Sequence, residues 1–188
     1  MMVNVSELAN YLLYLDKEEA KLDGDDAVPD ITPLKLQKLL YYCQGYSLGL
    51  YGEPLFMEPI EAWYHGPVVR SIYNKFSSLQ GSCISFDEKA EPEINDRAKK
   101  IAQLVMHDKG CFSANALRNM THKEEPWSCT YHKSGQNSII TEAIIQKFFM
   151  SSFDMELPPD EEEAMFLRAG KCPTQQEWTE INRYVASL

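Results

Sequence analysis

The 188-residue sequence has no run of 18 consecutive apolar residues, the length that a helix needs to span a bilayer. Its first residues, MMVNVSELANYLLYL, lack the basic region, apolar core and small-residue cleavage site of a secretory signal. They are typical of a helix that packs within a folded domain. We therefore expect a cytoplasmic protein that makes no contact with membranes.

Positive charge is also scarce. Eighteen Lys and Arg residues stand against 28 Asp and Glu residues, which gives a net charge of −10 and a sequence pI near 4.9. A protein that neutralises nucleic-acid phosphates usually presents a basic face, so this balance disfavours nucleic acid as a ligand. It suits a protein partner with a basic surface, because complementary electric fields speed encounter.

The five cysteines form no recognisable disulfide framework, and a chain of this length does not need one. This usage is typical of a reducing compartment. Cys129 and His132 have a C-x₂-H spacing, with His122 seven residues upstream of Cys129. A structural zinc site needs two compact ligand pairs in a supporting loop framework, which this pattern does not supply. We expect neither a metal nor another cofactor.

Signatures of catalysis are missing as well. The sequence contains no glycine loop of the phosphate-binding kind, no H-E-x-x-H and no G-x-S-x-G. A cysteine nucleophile would need a base within hydrogen-bond reach and a third group to orient that base, and the sequence indicates neither. We predict a protein without enzymatic activity and without catalytic residues.

What the sequence does contain is apolar residues at helical spacing, which predict a mainly α fold. Thr32 and Pro33 open the clearest helix, whose apolar stripe runs to Leu50 and ends at Gly52. Further helices are predicted over 5–22, 68–76, 93–109, 113–120 and from 141 onwards. Short strands near 58–63 and 83–86 complete a compact helical domain with a small β element, and 121–138 is predicted as an irregular loop.

The composition shifts after residue 153. The string LPPDEEE places acidic residues at a helix start, where they suit the positive end of the helix dipole. The string TQQE, at 174–177, has the form of a capping box before a second helix. We predict one domain over 1–153 and an acidic two-helix appendage over 154–188.

Three strings stand out by their order and spacing. They are LKLQKLLYYCQGYSLGLYGEPLF at 34–56, IEAWYHGPVVRSIY at 60–73 and LRNMTHKEEPW at 117–127, which is followed by NSIITEAIIQKFF. These strings resemble the Panacea domain, a SocA-like and phage-associated family of antitoxins. With the N-terminal helix, the likeness covers roughly residues 5–150.

The resemblance implies a compact, mostly helical fold with a small β element and no catalytic reaction. Members of this family bind and neutralise toxins of very different kinds, and one branch acts as a proteolytic adaptor that delivers its toxin to a bacterial protease. By this resemblance the chain is expected to be a protein-binding antitoxin whose partner is a toxin or a substrate delivered to a protease. The acidic appendage at 154–188 has no counterpart in the family pattern.

Residues of these strings are candidates for partner contacts, because aromatic side chains and arginine often dominate interface energies. The interpretation that competes with this one is structural: the tyrosines of the 33–51 helix fill the core, and the tryptophan beside His65-Gly66-Pro67 plugs it. On the functional interpretation the contact residues are Lys38, Tyr41, Trp63, His65, Arg70, His122 and Trp127.

Two other classes of function compete with the antitoxin hypothesis. Residues 33–51 and 67–79 have the lengths of a helix-turn-helix pair, which would indicate a DNA-binding transcriptional regulator. The surrounding glutamates and the strand predicted between the two segments disfavour it. The scattered cysteines and histidines leave a small metalloenzyme as the third hypothesis.

Overall fold

The computed structural model describes residues 2–23, 29–79, 81–86 and 91–153. Within these ranges the chain is mainly helical with a small antiparallel sheet, as predicted. The helices are α1 (Val5–Asp23), α2 (Pro33–Tyr51), α3 (Arg70–Phe76), α4 (Asp96–Lys109), α5 (Ala114–Lys123), α6 (Glu125–Ser134) and α7 (Glu142–Ser152), and the strands are β1 (Ile60–Trp63), β2 (Gly66–Val69) and β3 (Ser138–Ile140). The appendage predicted over 154–188 lies outside the described residues.

Helix α2 is the central element. The Thr32 side chain accepts a hydrogen bond from the Lys35 N–H, Pro33 begins the helix, and Gly52 ends it with a φ of 69°. These ends match the sequence prediction. The sequence predicted that only one face of α2 would be buried, and this was wrong. Residues 35–48 are all buried, because α4, α5, α7 and β2 pack around the helix.

Helix α7 lies against α2 where two glycines remove side-chain bulk. The Phe149 ring occupies the space that a Cβ at Gly45 would need. At Gly49 a Cβ would lie 2.9 Å from the Phe149 Cβ and 2.9 Å from Phe153 Cδ2. The two helices therefore approach closely, and the Phe149 ring makes edge-on contacts with the three tyrosines of α2: Tyr41, Tyr42 and Tyr46.

Side-chain caps fix the starts of α4 and α5, as the sequence predicts for α5. Asn95 accepts a hydrogen bond from the Ala98 N–H, and Ser113 accepts one from the Ala116 N–H. Helix α4 also packs on α1, so the N-terminal helix belongs to the same core. None of the described helices is long and apolar enough to cross a membrane.

The sheet has the strand order β2-β1-β3, and both pairings are antiparallel. Strand β1 lies where it was predicted, whereas the strand expected at 83–86 was wrong. That segment belongs to no strand, and one backbone hydrogen bond joins the Ile84 N–H to the Ile31 carbonyl oxygen. The third strand is instead Ser138–Ile140, which pairs with β1 through Ile60↔Ile140 and its neighbours.

Two further predictions were wrong. Val68 and Val69 belong to β2 and not to the following helix, because they pair with Glu61 and Ile60 across the hairpin. The segment predicted as an irregular loop contains α6, in which Pro126 stands in the first turn, where its missing N–H leaves no bond unmade.

The described cysteines differ in whether they are free thiols or disulfide-bonded. Cys43, Cys83 and Cys129 are free thiols, and Cys43 is buried at the centre of α2, where burial raises its thiol pKa. Cys111 forms a disulfide bond, which the cysteine spacings did not predict.

Candidate functional site

The β1–β2 hairpin turns through Tyr64 and His65 and is closed by Gly66, whose φ is 99°. Glycine adopts this left-handed conformation without a Cβ penalty. A second constraint acts at the same position, because a Cβ on Gly66 would lie 2.9 Å from both Lys38 Cε and Thr121 Oγ1. The turn is therefore pressed against α2 and α5.

Helix α2 holds the outer edge of β2 with two buried polar side chains. The Lys38 ammonium donates a hydrogen bond to the Pro67 carbonyl oxygen at 2.7 Å, and Gln37 Oε1 accepts one from the Val69 N–H at 2.7 Å. Pro67 has no N–H, so an edge position suits it. Burial, together with the nearby charge of Arg118, lowers the pKa of Lys38 to about 7.

Glu61 organises the solvent-facing side of the hairpin. Its Oε1 accepts a hydrogen bond from Arg70 Nε at 2.8 Å and its Oε2 accepts one from Arg70 Nη2 at 2.5 Å. Oε2 also accepts the indole N–H of Trp63 at 2.9 Å. The hydrogen bonds from Arg70 lower the pKa of Glu61, which favours its charged form.

Aromatic rings extend this arrangement into solvent. The Trp63 and Tyr73 rings lie 4.7 Å apart between centroids, and the Arg70 guanidinium lies 5.2 Å from the Trp63 ring. Tyr64 is 59% exposed and Tyr73 is 38% exposed. We call this solvent-facing set the hairpin surface, which consists of Trp63, Tyr64, His65, Arg70 and Tyr73.

Trp127 fixes the hairpin to the helices beneath it. Its indole N–H donates to the Trp63 carbonyl oxygen at 2.9 Å, while the His122 ring stacks on it at 3.8 Å and the Tyr131 ring at 4.7 Å. Burial lowers the pKa of His122 to about 4, aided by the positive charge of Arg118. Trp127 itself is buried, so its role is to support the hairpin.

Glu124 ties α2 to the junction of α5 and α6. Tyr41 donates to Glu124 Oε2 at 2.9 Å and Tyr42 donates to Glu124 Oε1 at 2.7 Å. Burial raises the pKa of Glu124, while the two tyrosine hydrogen bonds act in the opposite direction. Burial likewise raises the pKa of both tyrosines, so their hydroxyls remain donors.

The structure separates the seven predicted contact residues into three groups. Trp63, His65 and Arg70 lie together on the hairpin surface, with His65 and Arg70 exposed and Trp63 half-buried. His122 is half-buried beneath the hairpin. The remaining three are buried in the core, so a surface position for them was wrong; they are Lys38, Tyr41 and Trp127.

Sequence reasoning missed two residues of the hairpin surface. Tyr73 lies in the segment predicted as a helix over 68–76 and was not singled out; α3 begins only at Arg70 and turns Tyr73 outward against Trp63. Tyr64 was not considered. Its position beside His65 in a two-residue turn was the signal available, because such a turn projects its side chains away from the domain.

Two other classes of site are not formed in the described part of the chain. The segment predicted as a helix-turn-helix contains the β1–β2 hairpin between α2 and α3, whereas that motif joins its helices by a turn of three or four residues. In the described ranges, no group of three or more His, Cys, Asp or Glu residues is placed to hold a metal ion.

Comparisons with known proteins agree with the sequence resemblance. Residues 36–128 match the family model described as "Antitoxin SocA-like, Panacea domain". The chain is similar to Antitoxin SocA of Caulobacter vibrioides (strain NA1000 / CB15N), with 30% identity over 178 residues that cover 84% of this chain and 88% of that relative. No solved structure matches the chain significantly. The matched region contains α2 from Leu36 onwards, the hairpin and Trp127.

Proposed function

The chain belongs to the SocA-like, Panacea domain family of antitoxins, and from this premise we propose that it neutralises a partner toxin by binding it through the hairpin surface. The family membership supports an antitoxin role and a protein partner. Neutralisation then consists of stoichiometric binding, without a reaction catalysed by this chain and without a cofactor.

One observation carries the choice of the hairpin surface: its aromatic side chains face solvent but are already held in place. Trp63 is fixed by Glu61, Tyr73 and Arg70, as described above. Ordering flexible side chains on binding costs about 0.5–1.5 kcal/mol each, so a preorganised surface loses less affinity. Trp, Tyr and Arg are also the residues that dominate interface energies.

The overall charge supports the same assignment at longer range. A net charge of −10 attracts a basic partner and raises the rate of encounter. Because Glu61 neutralises Arg70 locally, the hairpin surface is aromatic with little net charge of its own. Long-range charge then governs approach, and the aromatic contacts govern how long the complex lasts.

The experiment that tests this proposal is co-expression of the chain with each product of its neighbouring genes, scoring growth and co-purification. A product that is toxic alone, harmless with this chain and purified with it as a stable complex would support direct neutralisation. Growth rescue with rapid loss of the toxic product would instead indicate a proteolytic adaptor. If no neighbour is toxic and none co-purifies, the antitoxin proposal fails.

The hairpin surface is tested within that complex by substitution. We expect Tyr64→Ala combined with Tyr73→Ala to raise the dissociation constant by about 30-fold or more, since interface aromatics often contribute about 2 kcal/mol. The matched control is Met150→Ala, which removes a side chain that is 53% exposed on α7. Equal affinities for the two variants would place the interface elsewhere on the chain.

A further inference from the structure

A group of basic side chains from three elements meets beside Tyr64. Arg118 and His122 are one turn apart on α5, Lys38 comes from α2 and His65 from the hairpin turn. The Arg118 guanidinium lies 6.0 Å from the Tyr64 ring centroid, and the His65 ring lies 4.9 Å from it on centroids. Two basic side chains therefore flank an exposed aromatic ring of the hairpin surface.

Arg118 differs from the other arginines that the structure describes. Arg70 pairs with Glu61 and Arg97 pairs with Glu53. Within the described ranges, Arg118 has no carboxylate at salt-bridge distance, and its side chain donates to the neutral Asn119 Oδ1 at 3.1 Å. Its Nε is buried without a hydrogen-bond partner in those ranges, although buried polar groups are normally paired.

The ionisable side chains that the structure describes around Lys38, Arg118 and His122 are basic. The charged groups that act on the His122 imidazole are Arg118, Lys38 and His65, all of them basic, and His122 Nε2 is a second buried nitrogen without a described partner. Glu61 and Glu124, the carboxylates that hold the hairpin and α2, are engaged by other side chains.

From this geometry we infer that Arg118 binds a carboxylate on an acidic side chain of the protein partner, seated beside Tyr64 and His65. The planar guanidinium fork matches the geometry of a carboxylate, and a charge-assisted bond of this kind is stronger than a neutral one. A nucleic-acid backbone is a poorer ligand for the same spot, because a chain of net charge −10 repels a polyanion. The inference rests on the proposed function and specifies the chemistry that the partner presents to that surface.

The first test needs no partner and uses acetate as the probe. The purified chain is titrated with sodium acetate against sodium chloride at constant ionic strength, while NMR follows the His65 ring in every variant and, in the native chain, also the Arg118 Nε–H. We expect a saturable shift with a dissociation constant on the order of 10 mM, lost in Arg118→Gln and weakened in Arg118→Lys. A linear response that is equal in the native chain and in Arg118→Gln would overturn the inference.

The second test uses the complex with the co-purified partner. We expect Arg118→Gln to raise the dissociation constant by about tenfold or more and Arg118→Glu to raise it further, while thermal melting shows that both variants fold. Arg118→Lys keeps the charge and serves as the second variant if the others do not fold. If Tyr64→Ala weakens binding and the Arg118 variants do not, the carboxylate inference is wrong and the proposed function stands. If neither substitution weakens binding, the hairpin surface is not the interface.

Discussion

Helix α2 and the β1–β2 hairpin are both rich in polar and aromatic residues, but α2 directs them inward and the hairpin directs them outward. Residues 35–48 of α2 are buried without exception. On the hairpin surface, Tyr64, His65, Arg70 and Tyr73 are exposed, and Trp63 is half-buried. Both segments fall within the region that matches the family model, so a family match alone does not distinguish a core residue from a contact residue.

The buried polar groups of α2 explain why that helix can be polar inside the core. Gln44 Oε1 accepts hydrogen bonds from the Leu55 and Phe56 N–H groups, and its amide donates to the Phe56 carbonyl oxygen at 3.1 Å. Gln37 and Lys38 serve β2 in the same way. The polar side chains of α2 form hydrogen bonds with backbone N–H and C=O groups of neighbouring segments, and those to β2 fix the position of the hairpin. The side chains at the tip of the hairpin therefore face solvent.

The largest expected effect is on the α2–α7 contact. We expect Gly45→Ala to lower the free energy of unfolding by about 3 kcal/mol, because the added methyl group meets the Phe149 ring in a closely packed core. In an unobstructed helix the same change would stabilise by roughly 1 kcal/mol, so the sign of the effect reports packing. Urea unfolding measures it.

The matched control for Gly45→Ala adds Phe149→Leu to the same chain. A smaller side chain opposite the new methyl should restore part of the lost stability, although Phe149→Leu alone destabilises the core. If Gly45→Ala is as stable as the native chain, α2 and α7 do not pack as described.

The next effect concerns the tyrosines that hold Glu124. We expect the double variant Tyr41→Phe and Tyr42→Phe to lose about 2–3 kcal/mol of unfolding free energy, because a buried carboxylate loses both of its described hydrogen bonds. Thermal and urea unfolding measure the loss. Partner affinity per folded molecule should not change, since both rings remain in the core.

Tyr73→Phe makes the same chemical change on the hairpin surface. It removes a hydroxyl from a side chain that is 38% exposed, and a surface substitution of this kind normally changes stability by less than about 0.5 kcal/mol. Equal losses for the α2 pair and for Tyr73→Phe would contradict the inward and outward division of the two segments.

Part of this division could be predicted from the sequence and part could not. The N-cap, first-turn proline and terminal glycine of α2 are local signals, so its bounds were correct, and β1 was correct for the same reason. The burial of Lys38 and Tyr41 depends on four elements that surround α2, which its own periodicity does not reveal. Helix α6 was missed because its proline and polar residues also suit a loop, and the contacts of Trp127 with Trp63 and His122 cannot be seen in the local sequence.

A smaller effect is expected from the buried ammonium of Lys38. Its pKa is about 7 in the folded chain and near 10.5 when unfolded, so between these values the unfolded state binds a proton that the folded state does not. The free energy of unfolding therefore rises with pH, by on the order of 1 kcal/mol per pH unit between pH 7 and 9. Urea unfolding across that range should show the rise in the native chain.

Lys38→Met is the control for this pH dependence, because it keeps the length of the side chain and removes the charge. The variant should lose most of the rise between pH 7 and 9, whatever its absolute stability. The range stops at pH 9 because the folded state raises the pKa of Cys43 and of the buried tyrosines. At higher pH the unfolded state loses these protons first, which lowers the free energy of unfolding. A native chain whose stability is flat over this range would mean that Lys38 stays charged in the folded state.

The smallest expected effect lies at the tip of the hairpin. Tyr64 is 59% exposed, its ring meets the His65 ring in a T-shaped arrangement, and the Arg118 guanidinium lies 6.0 Å from its centroid. Tyr64→Ala should therefore change the free energy of unfolding by less than about 0.5 kcal/mol. Its backbone carbonyl, which faces His122, is unaffected by the substitution. Urea unfolding is again the measurement. A loss above about 1.5 kcal/mol would mean that the tip supports the fold as α2 does, and loss of partner binding in that variant would then say nothing about contact.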